Sequence, residues 1–449
     1  MNKPNKSRRI VFATLIMATC ALITSCANNT NIDIFYHDDL ESAIVLDDGD
    51  YQLEKVLIMS RHNIRSPLAD GKITPHEWFK WTSRHGELSV KGGLLETNMG
   101  QFFRKYLEAK EMIEENWIPE GEEVYFFSNS MQRTIATANF FATGMLPVSG
   151  INVEYDGEYG SVNPIFCPII KEHKPEFEQV VRSEIDSICG EKGFAGVGNK
   201  LQNAYKLLEK VLDFNKSEYA KENDIKHIPL DDNTLEFEVG KELGDTMKGG
   251  LKLANSAVDA FKLQIYEETK ISKALFGHKL SEKQIKEICS IGDMYQEVCE
   301  GTRTIATHVM ADMMGLMKDE LENQDREFTF FCGHDSTITS LVSALDIKEY
   351  ELPGAISCKS PIGVKLMFEE YSKENDDTKY IKPIMVYNTT SQLRSCEITS
   401  LDNPPMFYNL EFNGLTKNAD GYYKHSDVIS RFDEAIALGH EYDLPSNIG

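Results

Sequence analysis

Three short apolar runs, each followed by a polar loop or a helical pattern, do most to restrict the fold of this chain. They occupy residues 53–60 (LEKVLIMS), 123–130 (EVYFFSNS) and 327–332 (EFTFFC). Their length and their content of β-branched and aromatic residues are typical of buried strands, and the segments after them repeat apolar residues at helical spacing. Strands that alternate with helices build a parallel sheet covered by helices. We therefore expect an α/β fold with a mainly parallel sheet flanked by helices.

A long central region differs from the rest because it has helical patterns and no strand pattern. Residues 201–214 and 249–268 repeat apolar residues at helical spacing. Further on, residues 362–371 and 382–388 again have the pattern of strands. We therefore predict an α/β domain made of residues 49–146 and 291–449, with a smaller all-α domain inserted at residues 147–290.

The N-terminal segment has the pattern of an export signal. Residues 1–25 contain a basic start, an apolar stretch and small residues, and Ile23 to Cys26 resemble the lipobox of a bacterial lipoprotein signal. A transmembrane anchor is the alternative, but the apolar stretch is shorter than the ~20 residues that span a bilayer. We expect a signal peptide at 1–25, lipidation at Cys26 and a polar tether at 26–48. The protein would then be an exported lipoprotein on the periplasmic or cell-surface side of the outer membrane, held to the membrane only by its lipid.

The charge balance excludes some classes of partner. The chain has 47 basic and 71 acidic residues and a formal net charge of −24, and removal of the signal peptide would take away basic residues only. So much negative charge argues against nucleic acid and against anionic membrane surfaces as partners. An anionic substrate would need a local basic pocket.

The cysteines do not form a recognisable framework. Of the nine, Cys20 lies in the predicted signal peptide and Cys26 would carry lipid, so an odd number remains and at least one is unpaired. Cys332 lies at a predicted strand and is expected to be a buried apolar residue. Because no spacing of cysteine and histidine is typical of zinc, we expect no structural metal and no cofactor.

Ligands of open parallel sheets bind at the carboxyl ends of the strands, and polar residues are concentrated at three such ends here. The segments are 60–67 (SRHNIRSP), 128–133 (SNSMQR) and 332–337 (CGHDST). Together they supply Arg61, His62, Arg65, Arg133, His334 and Asp335. Three arginines, two histidines and a carboxylate at one edge would form an anion site that also contains a nucleophile and an acid.

Phosphomonoester hydrolysis without a metal fits this set of residues. Planar guanidinium groups bind and neutralise phosphoryl oxygens. An imidazole can attack phosphorus and carry the phosphoryl group, and His62 between Arg61 and Arg65 would stay neutral and nucleophilic. A carboxylic acid such as Asp335 protonates the departing oxygen and then activates water. Each motif alone also fits ordinary surface or core residues; their joint occurrence favours a site.

A second Arg-His pair, in residues 83–88 (SRHGEL), lacks these features. No apolar run precedes it, and neither a second arginine nor a proline follows at the spacing of the first pair. We expect His85 to be a surface loop residue.

The motifs resemble those of the histidine acid phosphatase family, whose signature is Arg-His-Gly-x-Arg-x-Pro near the N-terminus and a distant His-Asp pair. Residues 60–69, 129–144 and 333–346 are most similar to the bacterial periplasmic glucose-1-phosphatases, including Asn63 in place of the glycine. The resemblance covers about residues 51–437 and implies an α/β domain with an inserted helical domain. It also implies the roles of single residues: His62 as the nucleophile, Asp335 as the proton donor, and Arg61, Arg65, Arg133 and His334 as the phosphate clamp.

The chain departs from the family pattern at several positions. Thr337 replaces the asparagine that usually follows His-Asp-Ser or His-Asp-Thr, which leaves open the hydrogen bonds around Asp335. The cysteines that form the disulfides of this branch are absent. Cys289 and Cys299 could form a replacement bridge or remain two buried thiols.

The resemblance implies a class of substrate and leaves the choice within it open. In this branch an acidic residue of the helical domain gates the pocket against bulky polyphosphates, and Glu242 is the nearest match. Leu68 and Ala69 stand where phytases usually have a lysine or a similar polar group, which favours a small sugar phosphate such as glucose 1-phosphate. The alternatives are a phytase-like enzyme for inositol phosphates and a surface lipoprotein that binds phosphate without turnover. The sequence predicts no oligomeric state.

Overall fold

The α/β sheet that the sequence predicts has seven strands. The computed structural model describes residues 34–68 and 72–444. Within them the strands are β1 (Tyr51–Arg61), β2 (Val124–Ser128), β3 (Phe328–Gly333), β4 (Lys365–Lys373), β5 (Asp376–Tyr387), β6 (Met406–Asn409) and β7 (Tyr423–Lys424). Their order is β2-β3-β1-β4-β5-β6, and β7 pairs with β5.

The sheet is mixed in direction. β1, β2 and β3 are parallel, whereas β4 is antiparallel to β1 and the pairs β4–β5, β5–β6 and β5–β7 are antiparallel. Four of these seven strands, β1, β2, β3 and β5, therefore run in one direction. β4 and β5 are joined by only Glu374 and Asn375, which has a φ of 59°. So short a connection permits an antiparallel hairpin alone, because parallel strands need a long crossover.

Helices cover both faces of the sheet and also occupy the long chain segment that connects the end of β2 to the start of β3. They are α1 (Val90–Ala109), α2 (Gln132–Met145), α3 (Pro175–Cys189), α4 (Gln202–Leu212), α5 (Glu218–Glu222), α6 (Leu243–Thr246), α7 (Gly250–Glu267), α8 (Ile271–Ala274), α9 (Glu282–Gln296), α10 (Arg303–Glu322), α11 (Asp335–Ala344), α12 (Thr390–Ser395) and α13 (His425–Gly439). The predicted class, a sheet flanked by helices, is confirmed.

The continuous apolar run of β1 follows from burial on both faces. Val56 and Ile58 belong to one core, which contains the aromatic side chains of α1 and α2. Leu57 and Met59 belong to the other core, which contains side chains of α10 and α11. A strand that is buried on both sides cannot alternate apolar with polar residues.

Between β2 and β3 the described residues contain helices and no strand. This agrees with the helical character predicted for residues 147–290. The division into two domains stays a prediction, and its boundary at residue 290 falls inside α9.

The described part of the predicted tether, residues 34–48, lies against the α/β region. Phe35 is only 1% exposed, and the Ala43 amide donates to the carbonyl oxygen of Phe407 at 3.0 Å. Asp48 forms a buried ion pair with Lys110. The segment predicted as a tether is thus attached to the α/β region through one buried aromatic side chain, Phe35, and one buried ion pair, that of Asp48. The tether itself stays a prediction. The predicted signal peptide and Cys26 lie outside the described residues.

Two further observations bear on the sequence predictions. No helix in residues 34–68 and 72–444 is long and apolar enough to cross a membrane.

The seven cysteines of these residues are free thiols, and Cys289, Cys299 and Cys332 are buried. The structure therefore favours two buried thiols over a bridge between Cys289 and Cys299.

Candidate active site

The strand order brings the three predicted loops to one edge of the sheet. β3 lies between β1 and β2, so that Arg61 pairs with Gly333. Beyond the strand ends, the His62 amide donates to the Gly333 carbonyl oxygen at 3.1 Å, and the Asn129 amide donates to the Cys332 carbonyl oxygen at 2.9 Å. Direct contacts and electrostatic interactions join all six predicted site residues at this edge: Arg61, His62, Arg65, Arg133, His334 and Asp335.

The predicted nucleophile, His62, is buried and oriented by its own loop. Its Nδ1 lies 2.9 Å from the carbonyl oxygen of Asn63. Because a carbonyl oxygen only accepts hydrogen bonds, Nδ1 carries the proton and Nε2 keeps its lone pair. Burial and the positive charges of Arg133 and Arg65 hold the pKa of His62 well below its ordinary value. The imidazole is therefore neutral, and Nε2 can attack an electrophile.

Three guanidinium groups around this imidazole have unused donors. The Nε atoms of Arg61, Arg65 and Arg133 are buried, and none has a hydrogen-bond partner among the described residues. Buried donors are nearly always satisfied in folded proteins, so three of them in one place indicate a site for an anion. Burial and the neighbouring Arg65 lower the pKa of Arg133 to about 10, so this group is still a cation at neutral pH.

The orientation of His334 follows from a chain of two asparagines. Asn129 Oδ1 accepts a hydrogen bond from the Asn163 amide at 2.9 Å, so its Nδ2 points at His334 Nε2, 2.6 Å away. Nε2 therefore accepts, and the proton of the neutral ring lies on Nδ1. Arg133 Nη2 is 3.4 Å from this Nδ1. Arg133 Nη2 and His334 Nδ1 are thus both donors, with no acceptor of the described residues between them. Both can donate to one phosphate oxygen.

Thr337 fixes the start of α11, where His334 and Asp335 lie. Its Oγ1 accepts from the His334 amide at 3.0 Å and donates to the Phe166 carbonyl oxygen at 2.5 Å. The hydroxyl thus uses both its donor and its acceptor capacity. The departure from the family's asparagine leaves the local hydrogen bonds complete.

Asp335 is ionised in the substrate-free protein. Its Oδ2 lies 2.8 Å from Arg61 Nη2, and its Oδ1 accepts from the Ser336 amide at 3.2 Å. Burial alone would raise the pKa of Asp335, but the positive charges of Arg61 and Lys262 outweigh burial and hold this pKa well below its ordinary value. A carboxylate suits the role of base. The role of proton donor requires a proton that arrives with the substrate.

Asp259, on α7, is a site residue that was not predicted from the sequence. Its two carboxylate oxygens each accept a hydrogen bond from Arg65, both at 3.1 Å. The fork of Arg65 is thus held by a carboxylate from the helical region in the substrate-free protein. A single acidic residue within an amphipathic helical pattern carries no signal of its own, so only the placement of α7 over the site identifies it.

Two further acidic side chains face Asp335. Glu242 precedes α6, and burial, followed by Asp245 and Asp335, raises its pKa to about 7. Glu300 lies in a π-helical turn (Glu297–Gly301), and burial and Asp335 raise its pKa well above the ordinary value. Glu242 thus interacts electrostatically with Asp335, and its gating role stays a prediction.

A buried ion pair supports the loop behind the nucleophile. Lys365 Nζ lies 2.6 Å from Glu96 Oε1, and both side chains are fully buried. Asn63 Nδ2 donates to Glu96 Oε2 at 3.2 Å, and Asn63 Oδ1 accepts from the Ile64 amide at 2.8 Å. The pair thus fixes the residue that follows His62.

The second Arg-His pair lies outside this constellation. His85 is exposed, and its Nδ1 is 3.3 Å from the Pro67 carbonyl oxygen. The structure agrees with the prediction of a surface loop residue.

A neutral histidine within an arginine clamp, beside a carboxylate at the edge of an α/β sheet, defines a phosphatase site built on a histidine. Residues 52–386 match the model of the histidine phosphatase superfamily (branch 2). The chain belongs to this superfamily and is a phosphoric monoester hydrolase.

Curated relatives and solved structures agree with this membership. Glucose-1-phosphatase of Providencia rettgeri is 33% identical over 397 residues, which are 86% of this chain and 93% of the relative. Phytase AppA of Escherichia coli is 26% identical over 85% of this chain and 91% of the relative. The structure of the Citrobacter braakii phytase superimposes with a TM-score of 0.77 at 23% identity and covers 86% of this chain and 98% of that one. The structural similarity to the Citrobacter braakii phytase shows that the two proteins share a fold.

Proposed function

We propose that this phosphatase hydrolyses small sugar phosphates, with glucose 1-phosphate as substrate, through a phosphohistidine at His62 and without a metal ion. The observation that carries the proposal is the ring of three buried, unpartnered Nε donors of Arg61, Arg65 and Arg133 around a neutral imidazole. Cationic forks neutralise the phosphoryl oxygens, which is the work a metal does elsewhere.

Binding and attack would follow from the substrate-free contacts. The phosphoryl group takes the place of Asp259 on Arg65 and accepts from His334 Nδ1–H. His62 Nε2 then forms a bond to phosphorus while the bond to the sugar oxygen breaks. The phosphoryl group stays on the imidazole, so that one difficult displacement becomes two easier ones.

The proton for the leaving oxygen would come with the substrate. The second pKa of a phosphomonoester is about 6, so in mild acid the ester binds with one proton. When Arg61 turns from Asp335 to the phosphate, the carboxylate loses its cation and gains a negative neighbour, and both changes raise its pKa. Asp335 can then take this proton and pass it to the departing sugar oxygen. As a carboxylate again, it removes a proton from the water that attacks phosphorus and releases His62.

The choice of a sugar phosphate rests on Glu242 and on the relatives. Glu242, whose pKa is raised to about 7, would repel further phosphate groups above that pH, where it is ionised. Glucose-1-phosphatase of Providencia rettgeri is 33% identical to this chain, whereas the Escherichia coli phytase is 26% identical. A phytase-like activity is the second candidate, because solved phytases share the fold. Binding without turnover is disfavoured, since a binding protein needs neither a free Nε2 nor a facing carboxylate.

Release of phosphate from three compounds tests the proposal. Purified protein would be given glucose 1-phosphate, p-nitrophenyl phosphate and inositol hexakisphosphate in the presence and absence of EDTA. We expect kcat/KM for glucose 1-phosphate to exceed that for inositol hexakisphosphate by at least about tenfold, and no effect of EDTA on turnover. A preference for the inositol phosphate would establish the second candidate. Absence of release from all three would refute glucose 1-phosphate as the substrate and direct the search to other phosphomonoesters.

The raised pKa of Glu242 predicts how KM depends on pH. Below about pH 7 its carboxyl group is neutral, and above about pH 7 it is an anion that repels the substrate dianion. A repulsion of about 1 kcal/mol corresponds to about fivefold in KM. When the pH is raised through 7, KM for glucose 1-phosphate should therefore rise about fivefold more in the wild type than in Glu242→Gln, in which only the deprotonation of the substrate remains. Glu238→Gln is the matched control, because Glu238 is an exposed acid of the same segment, paired with Lys241. Identical KM profiles for wild type and Glu242→Gln would exclude Glu242 as the gate.

We further propose that the protein is exported and lipidated at Cys26, from the lipobox pattern of the N-terminal segment. Its site would then face the periplasm or the cell exterior. Radioactive palmitate should label the protein in cells, and Cys26→Ser should remove the label. Unchanged labelling of Cys26→Ser would contradict the proposal.

A further inference from the structure

Two histidines and a carboxylate meet outside the phosphate clamp and have no part in it. His76 Nε2 lies 3.0 Å from Asp213 Oδ2, and His278 Nε2 lies 3.8 Å from the same oxygen. Ligand atoms of the three side chains all lie within 4.8 Å of one another. Each side chain is about one quarter exposed, so that ions in solution can reach it.

These three residues come from separate segments. His76 belongs to the loop between β1 and α1, Asp213 caps the end of α4 with a left-handed φ of 48°, and His278 follows α8. His76 and Asp213 are 137 residues apart in sequence. The expectation of no structural metal rested on the spacing of cysteines and histidines, which cannot reveal a site assembled from such distant residues.

Neighbouring side chains hold the ligand atoms towards one point. The His76 ring is stacked on Phe276, with centroids 5.0 Å apart and an interplanar angle of 11°. Lys216 donates to Asp213 Oδ1 at 2.9 Å, which leaves Oδ2 for the two imidazoles. Contacts of this kind orient metal ligands in known sites, because they fix the ring and the carboxylate before the ion binds.

A hydrogen bond explains the contact of His76 with Asp213 but not the position of His278. The contact of 3.0 Å between His76 and Asp213 fits a hydrogen bond, but His278, at 3.8 Å from the same oxygen, is beyond that range. In a tetrahedral zinc site with bonds of about 2.0–2.1 Å, the ligand atoms lie about 3.3 Å from one another. The two observed distances from Asp213 Oδ2, 3.0 and 3.8 Å, lie on either side of this value.

We propose that His76, Asp213 and His278 bind a divalent transition-metal ion, with Zn²⁺ as the ion this ligand set suits best. Two neutral imidazoles and one carboxylate are ligands that zinc prefers, and water would complete the coordination. The site is independent of the proposed phosphatase mechanism, which uses no metal.

The expected role of this ion is structural. The loop that carries His76 returns to the phosphate clamp, where the Ser66 amide donates to the Glu87 carbonyl oxygen at 3.0 Å and Arg65 forms a β-bridge with Leu88. A metal at His76 fixes the middle of the loop to α4 and to the segment after α8. Zinc should therefore raise thermal stability and leave the chemical step unchanged.

Calorimetric titration of untagged, chelator-treated protein with Zn²⁺ tests the site. We expect one equivalent to bind with a Kd in the micromolar range or below, and Tm to rise by roughly 2–5 °C when Zn²⁺ exceeds its Kd 100-fold. His278→Ala and Asp213→Asn should each weaken binding at least about 10-fold to 100-fold, since each removes one of three ligands. Co²⁺ in place of Zn²⁺ should give a visible absorption band that these variants lose.

His227→Ala is the matched control, because His227 lies 3.0 Å from one carboxylate, that of Glu209, without a second imidazole. This variant should bind Zn²⁺ like the wild type. Absence of micromolar binding in the wild type, or equal binding by His278→Ala, would overturn the proposal. His76→Ala also removes the ring stacked on Phe276, so His278→Ala decides the matter if His76→Ala fails to fold. Turnover of glucose 1-phosphate, measured in parallel, should be the same with and without Zn²⁺. Dependence of turnover on Zn²⁺ would contradict the structural role.

Discussion

The His62→Ala variant is expected to lose phosphatase turnover by at least about 10⁴-fold while it keeps its fold and its affinity for phosphate. The reason is that Nε2 of His62 is the proposed nucleophile: it keeps a lone pair because Nδ1 donates to the Asn63 carbonyl oxygen, and the charges of three arginines act on the ring. No other group in the described part of the site combines a free lone pair with this position. The clamp itself remains, so a phosphate analogue such as tungstate should still bind.

Two measurements separate loss of the nucleophile from loss of the fold. Wild-type protein quenched during turnover of ³²P-labelled substrate should carry an acid-labile label, and His62→Ala should carry none. The circular dichroism spectrum and Tm of the variant should stay near those of the wild type, and His85→Ala should retain full activity because His85 is an exposed loop residue. Turnover near the wild-type rate in a folded His62→Ala protein would refute the phosphohistidine mechanism.

The Asp335→Asn variant should lose activity by a factor that depends on the leaving group. A sugar oxygen departs poorly unless it is protonated, whereas p-nitrophenolate leaves readily without help. General acid catalysis contributes about 10²-fold to 10⁴-fold, so kcat/KM for glucose 1-phosphate should fall by about that factor and kcat/KM for p-nitrophenyl phosphate by much less. Pre-steady-state bursts should show the same difference, because they report the first chemical step before breakdown of the intermediate can mask it.

The ion pair between Asp335 and Arg61 supplies the competing explanation. Asp335 Oδ2 lies 2.8 Å from Arg61 Nη2, so the carboxylate could act by positioning the guanidinium group. Equal losses with the two substrates would favour this positioning role over proton donation. Asp259→Asn is a useful comparison, because Asp259 holds Arg65 in the same way but donates no proton in the proposed mechanism. Its effect should be the same for both substrates.

The parts of the fold that the sequence predicted were those with a strong local signal. Residues 53–60 form the greater part of β1, because burial on both faces demands the continuous apolar run that marks them. The meeting of the six predicted site residues could be predicted because the ends of parallel strands lie at one edge, and β3 does lie between β1 and β2.

The parts that the sequence did not predict depend on contacts between distant segments. Residues 362–371 and 382–388 were recognised as strands, but their antiparallel direction depends on the turn at Glu374 and Asn375, which was not identified. Asp259 and Asn163 reach the site from elsewhere in the chain and carry no motif. The attachment of residues 34–48 rests on Phe35 and Asp48, two residues in a segment whose overall composition is that of a tether.

The network of Asn63, Glu96 and Lys365 has a consequence for sequence change at the active site. Asn63→Gly would restore the residue of the general family motif, but it would leave Glu96 Oε2 without one donor, at a cost of about 1–3 kcal/mol. Gly363 lies against the same amide: a Cβ there would come within 2.7 Å of Asn63 Nδ2, and its φ is +70°. The effect of a substitution at Asn63 is therefore expected to depend on the residues at three buried positions that are distant in sequence, namely 96, 363 and 365. A double-mutant cycle between positions 63 and 96 would measure this coupling. Engineering of this loop should therefore change positions 63, 96, 363 and 365 together. A single exchange at one of them removes contacts that a combined exchange can replace.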